Sequence, residues 1–148
     1  MRHFVQRAGY LIALACAPLV ATAAPGPGET LSVRIGYLGY RPDPGPLLSN
    51  VIPEPIDAGQ RGAELAIIDS NTTGRFLKHS YTLTTINSDT PEQLLEDARQ
   101  LHREGLRLFV VNAPAANLSQ LANAMPNSLL INAGSASDEL RTTNCLAN

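Results

Sequence analysis

The features that most often announce a function are missing from these 148 residues. No apolar run reaches the roughly 18 residues that a membrane-spanning helix needs; the run over 8–20 is shorter and is interrupted by Pro18. There is no G-x-S-x-G after a strand-like segment, so no nucleophile elbow is expected. "NAGSAS" places Ser135 after a strand but lacks that motif's second glycine. Neither G-x-G-x-x-G nor a phosphate loop with lysine occurs. No set of His, Cys or carboxylate residues has metal-ligand spacing, since Glu96-Asp97 and Asp138-Glu139 are neighbours that diverge on a helix. Beyond His3 the histidines are His79, at a strand entrance, and His102, near a helix end where the dipole favours a cation. Both positions suit structural roles. No catalytic residue, metal or cofactor is therefore expected, and the chain reads as a binder, not an enzyme.

Charge and cysteine are also scarce. The N-terminus reads as a secretory leader: basic "MRHFVQR", an apolar stretch, then "ATAAP" with Ala21 and Ala23 at signal-peptidase spacing. Cleavage after Ala23 makes 1–23 a signal peptide and 24–30, "APGPGET", a Pro/Gly linker. Of eleven basic residues, loss of Arg2 and Arg7 leaves nine against thirteen acids, a formal charge of about −4. That mildly acidic, unclustered balance argues against nucleic acid or an anionic membrane surface as partner, and no stable membrane insertion is expected once the leader is gone. Cys145 is then the one remaining cysteine. In an oxidising compartment it points either to a missing partner or to a buried free thiol.

What is present is alternation. "LSVRIGYL" (31–38) has strand periodicity and leads into a five-proline loop over 39–55. A loop above about 12–15 residues is usually functional or disordered. Asp57 and Gln60 form a capping-box pair for a helix whose inward face is Ala58, Gly62, Leu65, Ala66 and Ile68. Asn71-Thr72-Thr73 and Gly74 end that helix, with Phe76 and Leu77 packing toward the next strand. Asn71 also heads a glycosylation sequon, read as incidental, and Asp69 has no partner at ligand spacing. "SYTLTTI" (80–86) is the second strand. "TPEQLLEDARQLHREG" is a helix capped by Thr90 and Gln93, with Pro91 at its first position, Gly105 at its end and Glu96 pairing with Arg99. "LRLFVV" (106–111) reads as a strand buried on both faces. Leu118, Leu121, Ala122 and Met125 mark a third helix, closed by Pro126, and "SLLIN" (128–132) a fourth strand. The order β-loop-α-β-α-β-α-β predicts an α/β domain with a parallel sheet and helices on both faces. Ligands in such sheets bind at the carboxyl ends of the strands, here 39–55, 87–90, 112–116 and 133–138. These ends are rich in small polar groups such as Asn87, Ser88, Asn112, Ser135 and Ser137, which orient a polar ligand without reacting with it.

Two stretches carry a resemblance. "GAELAIIDSNTTGRFLKHSYTL" is similar to the first helix-to-strand passage of type I periplasmic solute-binding proteins of the branched-chain amino acid and amide class, with Gly62, Leu65, Ala66, Asn71 and Gly74 filling the pattern. "NTTGRFL" and "INAGSASDELRTTNC", with Leu140, Arg141 and Cys145, resemble the subgroup associated with quinoprotein alcohol dehydrogenases that use pyrroloquinoline quinone. The likeness covers 31–148. It implies a monomeric periplasmic receptor of an ABC transporter, delivering a small polar solute to the permease, with 31–148 forming part of its N-terminal lobe. Carried over, the ligand contacts are Asn112, Ala113, Ala116, Ala133, Ser135 and Ser137. Where amino-acid binders have a serine after the third strand, this chain has "NAPAAN", so no α-carboxylate contact is implied there. Because members of this class close two lobes over the solute, the chain by itself is expected to offer half a cleft and to bind no solute with useful affinity. The alternatives are a secreted flavodoxin-like or hydrolase-like enzyme, and a ligand-sensing domain without a transport role.

Overall fold

The structure, a computed structural model, describes residues 28–46, 50, 52–53, 55–143 and 145–146. The expected signal peptide and most of the linker lie outside the described residues. Four strands form one all-parallel sheet: β1 (Leu31–Tyr40), β2 (His79–Ser88), β3 (Leu108–Asn112) and β4 (Leu129–Asn132). They are joined by helices α1 (Gln60–Leu77), α2 (Pro91–Arg103) and α3 (Ala115–Ala124), and a 3-10 turn, Asp138–Leu140, follows β4. The strand order is β2-β1-β3-β4. The chain moves one way from β1 to β2, then crosses back over β1 to β3. Crossovers of one hand must put their helices on opposite faces when the direction reverses. Accordingly α1 lies on one face, with α2 and α3 on the other.

The core lies on the α2/α3 face. Leu38, Phe109, Val111 and Leu130 project from the strands onto Leu94, Ala98 and Leu101 of α2 and onto Leu118, Leu121, Ala122 and Met125 of α3 and its cap. The helical spacing in the sequence predicted these inward residues. Thr90 Oγ1 accepts from the Gln93 N–H at 3.3 Å, as expected of an N-cap, but the Gln93 side chain donates to Asp97 and does not complete a capping box. Gly105 follows α2 with φ of 94°. Glu96 pairs with Arg103 at 2.9 Å, not with Arg99.

The α1 face differs from expectation in three ways. First, β3 is not buried on both sides: Phe109 and Val111 are buried, while Leu108, Val110 and Asn112 are only half covered. The cause is the placement of α1, which packs on the edge strand β2 far more than on β1 or β3. Second, Ala66 lines the gap between α1 and the sheet as expected, but its companions there are Gly59, Ala63, Ile67 and Ser70, and the contact continues to Asn71 and Gly74. Leu65 and Ile68 are exposed, and so are Phe76 and Leu77. Third, α1 does not stop at Asn71 or Gly74. It runs to Leu77 and ends on Lys78 in the left-handed conformation, whose N–H donates to Gly74 O. Asn71 instead clamps the sheet edge: its Nδ2 donates to Tyr81 O and its Oδ1 accepts from Tyr81 N–H, both at 2.8 Å. Gly74, one turn on, is buried because a Cβ there would lie 2.8 Å from His79 O. Asp69 is exposed.

The charge at the end of α2 also departs from expectation. His102 Nε2 is shut from water without a hydrogen-bond partner. Desolvation first, and then the Arg107 charge, hold its pKa below the ordinary 6.5. The cation serving the helix end is instead Arg107, whose Nη1 donates to His102 O at 2.6 Å. A histidine with a depressed folded pKa binds its proton more readily when unfolded, so stability is fully present above 6.5 and falls as pH drops below it. Melting temperature is therefore expected to decline with acidification from about pH 6.5, with a shallower decline in His102→Gln. Equal slopes in the two proteins would refute this.

Among the described residues no helix is long and apolar enough to cross a membrane. Cys145 is a free, exposed thiol, which removes the buried-thiol reading.

Candidate functional site

The reversal of strand order falls between β1 and β3, where Gly39 pairs with Asn112. In an open parallel sheet the two connections leave this point in opposite directions and open a crevice. Asn112 ends β3 on the α1 face, and its Nδ2 donates to Tyr37 Oη at 3.0 Å. The start of α1 rests on this pair. Gly59, its N-cap, has φ of 82°, and a Cβ there would lie 2.6 Å from Asn112 Nδ2 and 2.7 Å from Tyr37 Oη. Only glycine suits both that backbone and that approach. The loop after β4 closes from the other side, where a Cβ on Gly134 would stand 2.5 Å from Asn112 Oδ1 and 2.6 Å from Ala113 N. Asn112 is thus held between two glycines.

Further polar groups frame the crevice. Asn87 Nδ2, at the end of β2, donates to Gln60 Oε1 at 2.6 Å, and Gln60 Nε2 donates to Glu64 at 2.7 Å. Arg61 bridges Asp57 at 2.7 Å and Glu64 at 3.1 Å. The hydrogen bond from Arg61 lowers the Asp57 pKa, and Glu64 is lowered first by Gln60 and then by Arg61. Asp57 therefore serves Arg61 and does not cap α1, which begins without a side-chain cap or an acid in its first turn. Below these groups a cavity of about 360 Å³ runs between α1 and the sheet, with Tyr37, Asn112 and Ala133 at its polar end and Ile35, Leu83 and Val110 along its floor. A larger depression of about 500 Å³ sits at the opposite edge, beside Arg75, Lys78 and His79. Its cations offset the carbonyls at the end of α1, and His79 Nδ1 lies 3.2 Å from Tyr81 Oη.

The six residues carried over from the resemblance fare differently. Asn112 and Ala133 meet at the cavity, and Ala133 N–H donates to Val111 O at 2.9 Å. The methyl of Ala113 is buried in the core, so only its backbone faces the crevice. Ala116 is exposed in the first turn of α3, which has Pro114 at its cap and no side-chain capping bond. The N–H groups of that turn therefore point outward unserved by a side chain. Ser135 and Ser137 are half-buried in a loop organised by Asn132, whose Oδ1 accepts from Ser135 N–H at 2.9 Å and whose Nδ2 donates to Ser135 O at 2.8 Å. Ser135 Oγ accepts from Ser137 N–H at 3.3 Å. Ser88 drops out, because it is buried and donates to Asp97 on the other face.

Sequence reasoning missed Tyr37, Gly59, Gln60 and Arg41. Tyr37 was legible only as a strand apolar residue; its hydroxyl became a site group because β1 and β3 are neighbours. Arg41 follows β1, its N–H donating to Ser88 O at 2.7 Å. Its Nε and Nη2 are buried and without a hydrogen-bond partner. Among the described residues no group of three or more His, Cys, Asp or Glu could hold a metal ion. Neither the models of known families nor the curated proteins match this chain.

Proposed function

We propose that this chain carries part of the solute-binding lobe of a periplasmic receptor for an ABC uptake transporter, taking a small polar solute and releasing it unchanged to the permease. The observation that carries the reading is the crevice between β1 and β3. There the Tyr37–Asn112 pair and Ala133 line one cavity, and the uncapped first turn of α3 and the Asn132 loop follow the carboxyl ends of β3 and β4. Such groups hold a polar molecule without transferring anything to it. The sequence likeness to type I solute-binding proteins, and within them to the quinoprotein-associated subgroup, supports the same reading and a link to alcohol oxidation.

The few polar groups of this crevice are expected to hold a small solute weakly. The expected Kd is millimolar, about −4 kcal/mol. The test is a titration of the isotope-labelled chain with acetamide, followed by nuclear magnetic resonance. Saturable shifts are expected at the backbone amides of 112–116 (except Pro114) and 133–137, with the solute recovered intact, and Asn112→Leu removes them while core resonances stay in place. Shifts confined to other regions, or chemical conversion of the solute, would sink the proposal.

A further inference from the structure

Arg41 is the first residue beyond β1, at the point where strand order reverses, and it is left incomplete. Its backbone is held by Ser88 O. The two-residue alternation of β1 carries Tyr37 and Gly39 toward the α1 side, Arg41 follows directly after Tyr40, and Asp57, just before α1, feels the Arg41 charge. Yet Nε and Nη2 of Arg41 are both closed off from water and donate to nothing. Those two donors lie on one side of the guanidinium and form the fork that meets both oxygens of a carboxylate in parallel hydrogen bonds. A guanidinium cannot relieve its burial by losing its proton. Among the described residues no carboxylate lies within ion-pair distance of it, and Asp57, the acid that senses it, is engaged by Arg61 at 2.7 Å.

A charged fork held without acceptors lowers stability in the free protein, and a ligand that supplies the acceptors removes that cost. We propose that Arg41 anchors the bound solute through a carboxylate, so that the receptor's substrates are small organic acids and not neutral amides or alcohols. The inference rests on the solute-binding reading above and specifies its substrate class. Among anions that fit the same fork, a singly charged carboxylate matches the single charge of one guanidinium, which a dianionic phosphate exceeds. This arrangement also accounts for "NAPAAN", which has no serine after β3: the acid contact is made from the end of β1 instead.

The experiment compares acetate, acetamide and inorganic phosphate on the full chain at matched ionic strength, reading the Arg41 side-chain Nε–H resonance and the backbone amides. Acetate is expected to shift the Nε–H signal saturably and to bind more tightly than acetamide or phosphate. Arg41→Gln weakens acetate about tenfold or more while leaving acetamide unchanged. Arg41→Lys, which keeps the charge but not the fork, recovers only part of the loss. Equal affinity for acetate and acetamide, unaltered acetate binding in Arg41→Gln, or tighter binding of phosphate would each overturn the carboxylate assignment. If acetamide binds at the crevice and acetate does no better, the solute-binding reading stands and this one fails; if neither binds, both fail. Should Arg41→Gln not fold, the wild-type Nε–H response and Arg41→Lys decide the matter.

Discussion

Phe109→Ala is expected to lower the unfolding free energy by about 3–5 kcal/mol, the usual cost of emptying a buried aromatic site. Phe109 is wholly buried on β3, facing α2 and α3. Its neighbour across the ladder is Gly36, and a Cβ on Gly36 would lie 2.6 Å from Phe109 Cδ1. The ring therefore lies against bare β1 backbone, and no side chain at Gly36 can swing in to fill the void. Domains of this size are held by only about 5–15 kcal/mol, so the loss is a large share of the total. A paired substitution isolates the cause. Gly36→Ala alone overpacks the site and costs about 1–3 kcal/mol, but in the Phe109→Ala background its methyl enters the void and restores part of the loss. Urea denaturation should show a lowered midpoint in each single variant and a positive coupling in the double one. Strictly additive effects would mean that the two residues do not share the space.

Asn71→Ala is expected to cost about 1–2 kcal/mol and to expose the edge of the sheet. Two hydrogen bonds of 2.8 Å to Tyr81 are lost, each worth about 0.5–1.5 kcal/mol net, against a gain of up to about 0.7 kcal/mol in helix propensity. The bonds win because β2 is an edge strand, and the Asn71 amide supplies Tyr81 with the donor and acceptor that a neighbouring strand would otherwise provide. Asn71→Asp separates this account from simple shape. It can still accept from the Tyr81 N–H but turns a carboxylate oxygen toward Tyr81 O, so it is expected to be no more stable than the alanine variant. Faster hydrogen exchange at the Tyr81 amide in Asn71→Ala, which has lost the acceptor, checks the mechanism. Unchanged exchange there would rule it out.

These two residues show where the sequence was informative. Phe109 was readable as core because the apolar stretch of β3 and the periodicity of α2 and α3 point to one shared layer. Asn71 was readable as important but was assigned the wrong job. Asn-Thr-Thr followed by glycine has the local chemistry of a helix end, and only the presence of β2 alongside turns Asn71 and Gly74 into the contact stripe of a continuing helix. The inward face of α1 was misjudged for the same reason. Bulky Leu65 and Ile68 dominate the hydrophobic pattern, yet they lie outside, while Ala63, Ala66 and Ile67 line the cavity between α1 and the sheet.

Element type, order and the parallel character of the sheet followed from the chain alone, because caps and periodicity act over a few residues at a time and crossover handedness is set within each βαβ unit. The strand order β2-β1-β3-β4, and with it the crevice that joins Tyr37 to Asn112 across 75 positions, came only from the tertiary structure. So did the unpaired fork of Arg41. Whether a polar group is satisfied depends on which distant segments surround it, and no local pattern along the chain encodes that.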